Sequence, residues 1–456
     1  MITTVLAFLL TLGVLVVFHE YGHYRVARAF GVKVLRFSVG FGRVLVRRQR
    51  HPDATEFVLC ALPLGGYVRM LDEREGTVAP GERDMAFNRK PLAQRAAIVA
   101  AGPAANLLLA IVLYAASHWI GVEEPKAVLA APSAGSLAEA AGVRSGDWVR
   151  SVSRDGQDWV DVASLTDLRW RLAQAVLEGE SIELMLSDRD GHGNRRVRLD
   201  LARLGSREAD AETMRRIGLG SAYRDPVMGE VRAGGPAADA GLAKGDRVLS
   251  IDGRAVGDAQ ALFDRIRASV RDGAALPMRW TIERAGNVRE LTVTPRVTAE
   301  TGTPVGRIDA YVGAAPAMVT VRLGPVDGFV RGVERTWEVS SLTVRMLGRM
   351  LIGEASVRNL SGPLTIADFA GQSVERGLAY YLGFLALVSV SLGVLNLLPL
   401  PMLDGGHLMY YLFEGVTGRP VSDLWLARLQ RGGIALLLML MSLALYNDVA
   451  RLFGLH

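Results

Sequence analysis

The stretch ITTVLAFLLTLGVLVVFHEYGHY, residues 2–24, has Glu20 as its only charged side chain. As a helix it is long enough to cross the hydrocarbon of a bilayer, about 30 Å. Near its end, His19-Glu20-Tyr21-Gly22-His23 sets two imidazoles four residues apart. They share one helical face, one turn apart, so a single metal ion can bind both, with Glu20 projecting beside them. A carboxylate within hydrocarbon costs roughly 2 kcal/mol or more, which makes a purely structural use expensive and work beside a metal ion the better reading. No basic residue precedes the stretch and no small-residue cleavage site follows it. It reads as a retained span, not a leader.

Working outward, three more apolar blocks follow: Ala96 to Val122, Leu378 to Leu398, and the shorter Gly432 to Asn447. The second would span roughly 40 Å as a helix. The fourth is short enough to need Arg431 and Asp448 to reach back to the interfaces. Half of the 456 residues are apolar and they cluster in these blocks, so the fold class is a polytopic α-helical membrane protein with four transmembrane helices. Arg and Lys crowd the connection from Arg25 to Arg95, and Arg419, Arg428 and Arg431 lie between the last two blocks. By the positive-inside rule both connections are cytoplasmic, and the termini and the long segment between spans two and three lie on the far side. The net charge of +5 sits beside the spans, where anionic lipid accounts for it, so no nucleic-acid partner is expected. Cys60 is the only cysteine, and the exported segment must hold together without disulfides.

That exported segment contains a repeat. Ala140-Ala141-Gly142-Val143-Arg144-Ser145-Gly146-Asp147 matches Asp239-Ala240-Gly241-Leu242-Ala243-Lys244-Gly245-Asp246, the signature of two copies of one unit. In the second copy, Arg247 to Gly253 reads as a strand ending in an Asp-Gly turn, with a helix near Ala259 to Ala268; the first copy degrades at the turn, Arg154-Asp155-Gly156. The pattern resembles tandem PDZ-like α+β domains of the bacterial, circularly permuted type, over 123–221 and 222–315. Such domains bind extended peptides as an added strand; a steric filter above the membrane is the other reading. Beyond them, Pro325 to Ile352 mixes Phe329, Val330, Val333 and Trp337 with Arg331, Arg335 and Arg345. This suits an amphipathic helix lying on the outer membrane face.

Two histidines do not complete a hydrolytic metal site, which needs a third ligand and an open position for water. After span three, Asn396-Leu397-Leu398-Pro399-Leu400-Pro401-Met402-Leu403-Asp404-Gly405-Gly406 places one acidic residue behind a proline-broken helix end. Irregular backbone at that depth is tolerated only inside protein or along a wet cavity. Asp404 is the candidate.

Together these two motifs resemble the site-2 protease family of intramembrane zinc metalloproteases, and the tandem PDZ-like pattern narrows the likeness to its regulator of sigma-E protease group in Gram-negative bacteria. The likeness covers the whole chain. It implies His19, His23 and Asp404 as ligands of one Zn2+ per chain, Glu20 as catalytic residue, and Asn396 as a substrate-binding or oxyanion residue. The segment from Val34 to Met70, with turn signals at Gly40-Phe41-Gly42 and Gly65-Gly66, resembles the family's membrane-associated β region, although a plain cytoplasmic hairpin fits the pattern equally. The implied setting is the bacterial inner membrane, with the active site near the cytoplasmic side. The implied substrates are single-span membrane proteins, foremost an anti-sigma factor already trimmed outside, with remnant signal peptides a second class. The competing reading is a membrane-anchored PDZ scaffold or chaperone with an inactive metal site. Against it, His19, Glu20, His23 and Asp404 are all present.

The expected layout is therefore a first span over 1–30 carrying the His-Glu-x-x-His motif, a β region over 31–91, a second span over 92–122, PDZ-like domains over 123–221 and 222–315, and a linker with the amphipathic helix over 316–377. A third span over 378–403 leads into the Leu-Asp-Gly motif, a cytoplasmic loop covers 404–431, and a fourth span covers 432–453. Asn106, one turn beyond Pro103 in the second span, reads as interhelical glue. His407 reads as a polar residue near the cytoplasmic surface.

Overall fold

The computed structural model describes residues 2–204, 211–219, 221–271, 273–300, 303–352, 362–419 and 421–452. The part of the expected linker over 353–361, the last position of the fourth expected span and His456 lie outside them. The chain divides into two compact units, 1–122 with 322–456, and 123–321.

Among the described residues of the first unit, four helices have the length and apolar composition to cross a membrane. They are α1 (Ile2–Ala29), α2 (Leu92–Ile120), α5 (Leu378–Asn396) and α7 (Asp423–Leu452). Between them stand strands β1 (Val34–Arg48) and β2 (Glu56–Met70) and helices α3 (Pro325–Leu351), α4 (Pro363–Glu375) and α6 (Asp404–Thr417). Helix α1 stops at Gly31, whose φ of 68° suits the left-handed cap that closes a helix; Val32 N–H donates to the Ala27 carbonyl at 2.9 Å.

Small residues set the helix packing, as expected where lipid offers no hydrophobic gain for association. A Cβ on Gly22 of α1 would fall 2.3 Å from the Ala101 carbonyl oxygen of α2, and one on Gly393 of α5 would fall 3.1 Å from the Pro103 carbonyl oxygen. Polar ties reinforce this: the Tyr381 hydroxyl on α5 lies 3.0 Å from the Thr11 hydroxyl and donates to the Ala7 carbonyl on α1.

Strands β1 and β2 form an antiparallel pair bent so that residues 34–39 lie between 56–59 and 66–70, while 44–48 pair with 57–60. Gly40, Gly42 and Gly65 take positive φ at the bends, conformations that need no Cβ penalty. Glu56, 6% exposed, receives the guanidinium groups of Arg36 and Arg47. Phe37, Phe57 and Tyr24 form a ring cluster with centroids 5.6–5.8 Å apart, which docks the sheet on the end of α1.

Three features differ from the sequence expectations. The last helix begins at Asp423, not 432, and the expected loop over 404–431 contains α6; Leu424, Trp425 and Leu426 continue the apolar run, and Arg428 is a good helix former. Asp448 does not reach out to an interface. It is 1% exposed and accepts hydrogen bonds from the backbone N–H groups of Gly362, Leu364 and Thr365 at 2.9–3.1 Å, capping α4 from another helix. Helix α3 is amphipathic but packs lengthwise on the spans: Gly328 lies against Trp119, Gly332 against the Ile111 carbonyl, and Val339 joins a buried cluster with Ala110, Tyr114 and Ala386.

The second unit holds two four-stranded sheets of the same order. One runs Val160–Asp161, Trp148–Ser153, Ile182–Ser187, Arg195–Leu199; the other runs Arg254–Ala255, Arg247–Ile251, Met278–Arg284, Asn287–Val293. The longest helix of each copy, Leu165–Glu178 or Ala259–Arg267, covers its own apolar core. The repeated octapeptides supply matching turns. Gly142, Gly146, Gly241 and Gly245 all have φ between 79° and 93°, and Asp147 and Asp246 each accept a bond from the backbone N–H three residues earlier and an ion pair from an arginine, Arg195 or Arg284. Asp258 ties the copies together: it caps its own helix through Ala261 N–H and accepts from Ala131 N–H and the Ser145 hydroxyl of the first copy.

Candidate active site

Helix α1 presents His19 and His23 on the face turned to α2, and the turn after α5 brings Asp404 to meet them. Pro399 and Pro401 prevent α5 from continuing. The chain reverses so tightly that a Cβ on Gly405 would lie 2.2 Å from the Leu398 carbonyl oxygen and one on Gly406 2.3 Å from that of Leu400. Helix α6 therefore starts at Asp404 with its carboxylate against the imidazoles.

The His19 and His23 Nε2 atoms are 3.2 Å apart. Asp404 Oδ2 is 3.2 Å from His19 Nε2, and its Oδ1 is 3.6 Å from His23 Nε2. For ligands about 2.0–2.1 Å from a tetrahedral zinc ion, the separation between ligand atoms is about 3.3 Å. The three donors thus stand at the spacing of a zinc coordination sphere, and they form the metal-type cluster found among the described residues. His23 Nδ1 lies 2.8 Å from the Ile98 carbonyl oxygen. A carbonyl can only accept, so Nδ1 carries the proton and the Nε2 lone pair faces the other donors. The donor set and its geometry fit zinc.

Glu20 sits beside this cluster. Its Cγ would be 3.0 Å from a Cβ on Gly66, and the Val68 backbone N–H faces its carboxylate. These groups open on a cavity of about 480 Å³ whose wall includes residues 66–70 of β2. That segment pairs with β1 on one side only. Farther along the cavity lie His407, Tyr410 and the Arg95–Glu414 ion pair at 2.6 Å. His407, read from sequence as a polar residue near the cytoplasmic surface, lines the cavity with them.

Asn396 does not join the others: it ends α5, half-buried, and is not among the residues lining the cavity. The seven-residue reversal puts α6, not the end of α5, against the histidines. Asn106, read as interhelical glue, does join α2 to α1, and it does so at the site, its Nδ2 lying 3.2 Å from His19 Nδ1. Gly102, one turn earlier, lets α2 pass close behind both rings. A lone Asn within the apolar block Ala96 to Val122, one turn after Gly102-Pro103, is the available signal.

A metal-type donor cluster beside a carboxylate, in a chain with four bilayer-length helices, defines the class: a membrane zinc metalloprotease. The chain belongs to peptidase family M50, whose model matches residues 7–440, the site-2 protease family. It is 43% identical over 99% of both chains to a relative from Ralstonia nicotianae that carries the words zinc metalloprotease in its name. It is 38% identical to the regulator of sigma E protease of Salmonella typhi and 37% identical to the regulator of sigma-E protease RseP of Escherichia coli, each over 98% of both chains.

Proposed function

We propose that this protein cleaves single-span membrane proteins within or beside the bilayer, with His19, His23 and Asp404 holding zinc and Glu20 moving the proton. The observation that carries this reading is the meeting of the three donors at 3.2–3.6 Å beside Glu20, on the wall of a cavity edged by a strand that is paired on one side only. Zinc bound there supplies Lewis acidity, which acidifies water and polarises a peptide carbonyl.

Glu20 is placed to take the proton of the attacking water and later deliver it to the leaving amine. A helical substrate hides its peptide bonds in its own hydrogen bonds and must be unwound before hydrolysis. The free edge of residues 66–70 offers backbone groups to hold it extended as an added strand, beside Glu20. Residues 31–91 then act as a membrane-associated β region. Tyr24, Phe37 and Phe57 fasten that region to the end of α1, so the edge keeps a fixed distance from the histidines.

The repeated halves, 123–221 and 222–315, are PDZ-like domains that bind peptide ends or filter what approaches. The basic connection over residues 25–95 supports a cytoplasmic site and exported repeats in an inner membrane. The names of the relatives support a role in sigma-E regulation, with a pre-trimmed anti-sigma factor as substrate and remnant signal peptides as a second class.

The test is cleavage of a tagged single-span protein, already shortened on its outer side, by wild type and Glu20→Gln in detergent. Cutting by wild type alone, abolished by a chelator and restored by zinc, is the expected result. Equal cutting by Glu20→Gln refutes the assignment of Glu20.

A further inference from the structure

The geometry points to Asn106 as the residue that positions His19 for metal, by accepting the His19 Nδ1 proton on its amide oxygen. The inference rests on the metal site proposed above and deepens it.

Asn106 is fully buried in the middle of α2. Its side-chain amide lies 3.2 Å from His19 Nδ1, and its other end, Oδ1, has no hydrogen-bond partner among the described residues. An amide buried only to join helices would be expected to satisfy both ends. The helix joint here is made separately: the Ser389 hydroxyl of α5 donates to the Asn106 backbone carbonyl at 2.7 Å.

The two histidines differ in how Nδ1 is held. The Ile98 carbonyl beside His23 can only accept, so that ring has one neutral tautomer. The amide beside His19 can donate or accept, and amide nitrogen and oxygen exchange places by a half-turn of the side chain. A metal on His19 Nε2 requires the proton on Nδ1, and hence the amide oxygen turned towards it. Ligand histidines ordinarily donate their second N–H to such an acceptor, and its loss typically weakens metal binding 10- to 100-fold. Asn106 therefore does for His19 what the Ile98 carbonyl does for His23.

The experiment measures zinc dissociation constants of the full chain in detergent by competition with a chromophoric chelator. Asn106→Leu, which keeps bulk and removes the acceptor, is expected to bind zinc roughly 10- to 100-fold more weakly. Asn106→Asp, an acceptor only, is expected to stay within a few-fold of wild type. Ser389→Ala, which cuts the helix joint without touching His19, is expected to match wild type. Wild-type affinity in Asn106→Leu overturns the inference, as does failure of Asn106→Asp to restore binding, or an equal loss in Ser389→Ala. Asn106→Ala gives the same comparison if the leucine variant does not fold. His19→Ala separates the two levels: undiminished zinc binding there overturns the metal-site reading itself.

Discussion

A methyl group on Gly102 would lie 2.2 Å from the His23 Nε2 atom and 2.8 Å from His19 Cε1. Helix α2 is thus the back wall of the metal cluster, and its closeness depends on one missing side chain. Gly102→Ala is expected to push the imidazoles out of register and to lower both zinc content and cleavage at least 10-fold. Metal analysis and cleavage of the same preparation check this; a fully loaded, active Gly102→Ala enzyme would show that the wall can yield.

The edge of β2 leads to a different expectation. The Val68 N–H faces the Glu20 carboxylate, so Val68→Pro removes a donor beside Glu20 on the wall of the cavity. Cleavage is expected to fall at least 10-fold while zinc affinity stays at the wild-type value. Loss of zinc in the same variant would mean that the strand supports the metal cluster instead of the substrate.

Asp448 caps α4 across a helix boundary through three backbone N–H groups. Asp448→Ala leaves these donors unsatisfied, and loss of a cap costs about 1–2 kcal/mol. A lower Tm in detergent than that of a control such as Asp368→Ala, on an exposed position of α4, is the expected reading.

Acid should loosen the second repeat. Burial of the Asp246 carboxyl raises its pKa, but two bonds from the Arg284 guanidinium at 2.6 Å and one from Ala243 N–H outweigh this and hold it below the usual carboxylate range. A folded value below the unfolded one, about 3.9, means that the stabilisation is complete above that pH and is lost as pH falls through the folded value. Asp246→Asn is expected to lower Tm at neutral pH and to flatten its acid dependence; melts of the full chain between pH 7 and pH 3 check both.

Much of this could be read in advance where the determinants are local. The spans follow from runs of apolar residues, the His19–His23 pairing from a four-residue spacing, and the duplicated turns from matched octapeptides. Pairings set by packing could not be read. Asp404, hundreds of residues from His19, is legible as the third-ligand candidate from its motif, but the reversal between α5 and α6 that carries it to the imidazoles is not. Asn106 and a structural asparagine look alike in sequence, because the difference lies in which ring faces the amide. Helix α3 carries an amphipathic pattern that suits a membrane surface as well as a groove between spans, and Gly328 and Gly332 select the groove by admitting α2. Asp448 looked like a terminus seeking water because its partners, the unpaired N–H groups of α4, are nearly a hundred residues away.

Duplicated units joined end to end ordinarily swivel. Asp258 removes that freedom, since the carboxylate that starts the helix of the second copy also holds the loop of the first. A displacement of either copy is therefore shared by its neighbour, and the pair behaves as one block between Glu123 and Val321.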